Sequence, residues 1–137
     1  MKQEIKDLWV AALRSGEYPQ TMGALQRTVE SYRPVGFCCL GVLTDLAAKA
    51  GVCEWKFSDG VGGVTEYYSD NAGITYFNMA ELPKSVMEWA GLKRSDPKVS
   101  FEFDDDIVSG KGASLGQLND DFKFDFDQIA DKIEEDL

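Results

Sequence analysis

Arg14, Arg27 and Arg33, with Tyr18 and Tyr32 close by in sequence, are the residues best suited to recognition chemistry. An arginine fork pairs with phosphate oxygens and stacks on aromatic faces. If the segment 21–34 folds against the first helix, these side chains line a small anion pocket. Glu66 and Tyr76, on aromatic runs further along, extend that candidate ligand site. Glu66 and Glu81 would also supply the acids of a carboxylate-dependent hydrolase. Histidine is absent, which excludes Ser-His-Asp and Cys-His nucleophiles, His-ligated zinc and a His general base.

The adjacent thiols Cys38 and Cys39 are the other conspicuous feature. Neighbours on a helix point about 100° apart, so the two do not readily face one metal, and Cys53 is the one further thiol. A helix N-terminus near Cys38 would lower its pKa. A catalytic thiol also needs a base, so small core side chains are the expectation. Asp104-Asp105-Asp106 with Glu102 invites a hard cation but lacks calcium-loop spacing. Asp120, Asp121 and Asp125 are discounted in the same way. Gly60-Val61-Gly62-Gly63 lacks the lysine and hydroxyl residue of a phosphate loop. No catalytic residue, metal or cofactor is therefore assigned. Lys93, Arg94 and Lys98 form a second, weaker basic cluster, read as an offset to the acidic tail.

These side chains need elements to hold them. Ile5, Leu8, Trp9, Ala12 and Leu13 recur at helical spacing, so a first helix is expected over 4–15, stopped by Gly16. The segment 21–32 has a weak pattern, a short helix or an extended arm, broken by Pro34 and Gly36. Residues 37–50 make the strongest helix, with Leu40, Leu43, Leu46, Ala47 and Ala50 facing inward. Gly41 within it costs about 1 kcal/mol relative to Ala, which points to close packing by another element. Period-two runs mark strands over 53–57, 64–68, 74–78 and 99–103. A short helix follows over 80–89, with Pro83 in its first turn. Residues 104–113 read as a mobile loop and 114–137 as an acidic helical segment. There Ser114 is a cap, and Asp125 with Gln128 forms a capping box. Glu134, Glu135 and Asp136 oppose the dipole of the last helix, which is expected to fray. The fold class is α+β: a single domain over 1–137, with helix 37–50 central, a small mainly antiparallel sheet, and N- and C-terminal helices.

Charge separates the chain into two parts. Of 24 acidic and 14 basic residues, net −10, residues 101–137 hold 12 of the acids and 3 of the bases. That disfavours direct nucleic-acid binding. It leaves a solvated acidic surface or a face for a basic protein. The 44% hydrophobic content is that of a globular chain. The longest nearly apolar run, 35–43, falls far short of the roughly 20 residues that cross a bilayer. Met1 to Trp9 is charged and no apolar block follows, so neither a leader nor a membrane span is expected. Three cysteines, two adjacent, suit a reducing cytoplasm better than a disulfide framework.

Phe37-Cys38-Cys39-Leu40-Gly41-Val42-Leu43 resembles a tyrosine-cysteine-cysteine-leucine-glycine-valine-leucine signature of small phage and prophage proteins. Further blocks resemble that group in order: 12–18 near the start, Leu82-Pro83 with Val86 and 89–92, then Leu115, 118–120, Phe126 and 129–131. Phe37 stands where tyrosine is usual, and Thr44 where a third cysteine is often found. The resemblance implies an accessory protein with no assigned activity. The expectation is a non-enzymatic binding protein acting on a host component, either a host protein or a small anionic, nucleotide-like ligand. The alternatives are a carboxylate-dependent hydrolase, an acidic DNA mimic, or a structural assembly protein.

Overall fold

The chain order is α1 (Gln3–Arg14), β1 (Gln26–Val29), β2 (Arg33–Phe37), α2 (Cys39–Lys49), β3 (Cys53–Phe57), β4 (Glu66–Asp70), β5 (Thr75–Phe77), α3 (Lys84–Ala90), β6 (Lys98–Asp104), β7 (Ser109–Ser114), α4 (Leu115–Asp120) and α5 (Phe126–Asp136). This computed structural model describes residues 1–29, 33–57, 66–70, 75–77, 80–104 and 109–137. The result is a single-domain α+β fold with helices at both ends.

The centre is α2. Every residue from Cys39 to Thr44 is buried, so its first turns are enclosed on all sides. α1 packs on it and on α5, and α3 and α4 close the remaining faces. Trp9, Leu40, Leu43, Leu118, Ile129 and Ile133 meet in one core. Gly41 explains the tight fit on one side. A Cβ there would lie 1.6 Å from the Leu25 carbonyl oxygen, so the backbone ahead of β1 rests directly on the helix.

The expected sheet is divided. β3, β4 and β5 form one antiparallel sheet, in the order β3-β4-β5. β6 pairs with β7 instead of joining it, and β1 pairs with β2. The segment read as a weak helix or arm is thus an arm followed by a hairpin. The arm runs along β2: the Thr21 N–H donates to the Phe37 carbonyl at 2.8 Å, and the Phe37 N–H to the Pro19 carbonyl at 2.8 Å. Phe37 therefore ends a strand, and Cys38 is the N-cap of α2. Of the expected mobile loop, Asp104 and 109–113 lie in strands, while 105–108 fall outside the described residues.

Buried Asn119 pins the arm. Its Nδ2 donates to the Thr21 carbonyl at 2.9 Å, and its Oδ1 accepts from Gln20 Nε2 at 2.8 Å. Asp120 Oδ2 accepts from the Gly23 N–H at 3.0 Å. A buried amide with both ends bonded fixes position as well as stability.

Candidate functional site

The structure directs the residues of the sequence-level pocket to different partners. Arg14 Nη2 donates to Asp131 Oδ1 at 2.5 Å and Glu134 Oε2 at 2.7 Å, clamping α1 to α5. Its bonds to Glu134 and then Asp131 hold the guanidinium above its usual pKa. Tyr18 turns to α2 instead. Its hydroxyl donates to Asp45 Oδ2 at 2.7 Å and accepts from Lys49 Nζ at 2.8 Å. Trp55 Nε1 donates to Asp45 Oδ1 at 3.1 Å. Burial pushes the Tyr18 hydroxyl pKa up, and the Lys49 bond acts against it. The cluster latches the arm and β3 to α2.

Arg27 is exposed on β1, with its guanidinium over the arm at Gly23. Arg33 stands opposite Val29 in the hairpin, and Glu66 and Tyr76 stand opposite Phe57 and Tyr68 in the β3-β4-β5 sheet. Tyr32 lies outside the described residues, as do Asp105 and Asp106. Arg14 and Tyr18, the members whose side-chain bonds are seen, do not converge on a common space.

The three thiols are free and buried. Burial pushes the Cys38 thiol up to about 12, outweighing the Gly41 and Leu40 N–H groups that would lower it. Burial likewise raises Cys39, whose Sγ contacts the Leu115 carbonyl at 3.4 Å. Both behave as core side chains. Among the described residues, no group of three or more His, Cys, Asp or Glu side chains is placed to hold a metal ion.

A different set of cations borders open space. α3 ends in a Schellman turn at Gly91, whose φ of +69° suits glycine. The Leu92 N–H bonds back to the Met87 carbonyl at 2.8 Å. The chain then crosses to β6 with three consecutive residues tied inward. The Ser95 carbonyl accepts from the Leu82 N–H at 2.8 Å, and the Pro97 carbonyl from the Leu115 N–H at 2.9 Å. Between them, Asp96 Oδ1 accepts from the Gly116 N–H at 2.9 Å. Lys93, Arg94 and Lys98 are left exposed on a fixed frame.

These three cations border a cleft of about 520 Å³, walled also by Met87, Ser95 and Gln117. Two carboxylates share the wall, each already bonded: Asp96 to Gly116, and Glu81 Oε2 to the Ser95 hydroxyl at 2.5 Å. Among the described residues, none of the three cations forms an ion pair. Two ammonium groups and a guanidinium fork can receive a phosphate or carboxylate with charge-assisted hydrogen bonds. The sequence signal was the short spacing of these residues beside Gly91 and Pro97. That spacing alone does not distinguish a ligand site from charge balance, because which acids lie near these cations is set by tertiary packing.

Among the described residues, no helix is long and apolar enough to cross a membrane. No curated protein and no solved structure matches the chain. A family model, described as a domain of unknown function (DUF8296), matches residues 1–137, and the chain belongs to that family.

Proposed function

We propose that the protein is a non-enzymatic binding protein that takes a small anionic ligand, through a phosphate or carboxylate, at Lys93, Arg94 and Lys98. One observation carries this reading. In a chain of net charge −10, three cations without an ion pair among the described residues border one cleft. Arg14, Lys49, Lys84 and Lys132 meet carboxylates of their own, while Lys2, Lys6, Arg27 and Lys123, also without an ion pair among the described residues, do not border this cleft. Asp96 and Glu81 in the same wall offset part of this charge and leave the cleft net positive.

The acidic tail supports a protein partner less well. Asp120, Asp125, Asp131, Glu134, Glu135 and Asp136 all hold hydrogen bonds or ion pairs within the fold. An accessory role toward a host component is the setting we propose, supported by the phage resemblance of residues 37–43.

Titration of isotope-labelled protein with inorganic phosphate and with a nucleoside monophosphate, followed by amide shifts, tests the reading. Shifts are expected at 91–98, saturating below about 10 mM and weakening as salt rises. Arg94→Ala is expected to lower affinity about tenfold with the remaining spectrum unchanged. Shifts centred on α5, or none by about 10 mM, would overturn it.

A further inference from the structure

A second cleft, of about 240 Å³, lies along the same loop and is bordered by the same three cations. Its other walls differ in kind. Met1, Leu92, Pro97 and Leu137 face it, and each also belongs to partly or fully buried packing. Asp136 stands at its edge with its carboxylate already bonded to the Ser100 N–H at 2.5 Å and hydroxyl at 2.7 Å.

The walls are held in place. The Lys2 N–H donates to the Ala90 carbonyl at 2.9 Å, which fixes the end of α3 against the start of α1. The Asp136 bonds fix the end of α5 against β6. The loop between the two clefts is tied by Leu82, Leu115 and Gly116, as described above. Lys93, Arg94 and Lys98 therefore form a ridge, with hydroxyl, amide and carboxylate groups on one side and, on the other, four apolar side chains together with the Asp136 carboxylate.

We infer that the ligand is an amphipathic anion, with its charged group on the Lys93–Arg94–Lys98 ridge and an apolar group the size of one ring against Met1, Leu92, Pro97 and Leu137. This rests on the anion-binding reading and narrows it. An apolar cavity on the order of 150 Å³ accommodates benzene, so the smaller cleft has room for a single ring. An inorganic anion would gain nothing from these walls. An apolar substituent removes the exposed surface of Met1, Leu92 and Leu137 from water without displacing the charged contact.

Three probes separate the outcomes: inorganic phosphate, phenyl phosphate and ribose 5-phosphate, each titrated calorimetrically against the full chain. Phenyl phosphate is expected to bind about tenfold more tightly than the other two. Leu92→Asn is expected to bring phenyl phosphate to the affinity of inorganic phosphate. Ring-induced shifts at the Met1 methyl in the unmodified protein provide the same readout without a substitution. Equal binding of all three probes overturns the inference and leaves anion binding standing. Tighter binding of ribose 5-phosphate also overturns it, because the neutral group would then sit on the polar side. Failure of every probe to bind overturns the anion-binding reading itself.

Discussion

Gly41 and Cys38 are three residues apart and are decided by the same burial. Gly41→Ala should gain about 1 kcal/mol of helix propensity. Against that stands a Cβ placed 1.6 Å from the Leu25 carbonyl, where the obstacle is backbone. Overpacking wins, and a net loss of about 3 kcal/mol is expected, read as a lower urea midpoint at unchanged slope. A neutral result would mean that the arm ahead of β1 does not rest on α2. For Cys38 the folded thiol titrates near 12 and the unfolded one near 9.0. As pH rises from 9.0, the unfolded chain loses this proton first, so stability falls, and the fall from this group ends near 12. Its slope is at most about 1.4 kcal/mol per pH unit. Cys38→Ala should flatten the alkaline limb of a urea-midpoint profile. An unchanged limb would show that the thiol ionises in the folded state.

At the scale of elements, local chemistry was legible where it was self-contained. The capping box at Asp125–Gln128 forms as the spacing indicates, and the expected cap at Ser114 is a box as well, closed by Gln117. Asp125→Ala should cost about 1 kcal/mol, checked by thermal unfolding. Strand β3 appears at the expected 53–57. Other elements depend on partners far away in sequence. β7 reads Ser-Gly-Lys-Gly-Ala-Ser, with no β-branched or aromatic residue, and is a strand because β6 pairs with it. The last turn of α5, whose acids oppose the helix dipole, is held by contacts distant in sequence. The helix runs to Asp136, where Ser100 takes that carboxylate, Arg14 takes Glu134 and Lys132 takes Glu135. Arg14→Ala should lower the urea midpoint, with the difference shrinking as salt is added.

At the scale of the molecule, charge is sorted rather than spread. Much of the carboxylate density of α4 and α5 is turned to intramolecular bonds with α1, the arm and β6. The ridge at 93–98 is left with unpaired positive charge among the described residues. Which face of α1 is buried is also settled at this scale. At about 100° per residue, Leu8 and Val10 lie equally far on either side of the stripe through Ile5, Trp9 and Leu13. Val10 is buried and Leu8 is 51% exposed, because α2 and α5 cover one flank of the helix.

Helical and period-two periodicity, helix caps and a glycine inside the strongest helix were sufficient for the α+β class, the central helix and the expectation that its thiols are core side chains. Those features depend on contacts within a turn or two, or on burial that any fold of this sequence would impose. The site depended on distance. Whether a cation is already neutralised is set by which carboxylate lies within a few ångströms of it. Arg14 meets Asp131 and Glu134 only because α1 and α5 pack together. Lys93, Arg94 and Lys98 stay open because their loop is tied by its backbone and by Asp96. Composition counts charges, and tertiary packing decides which of them remain available to a ligand.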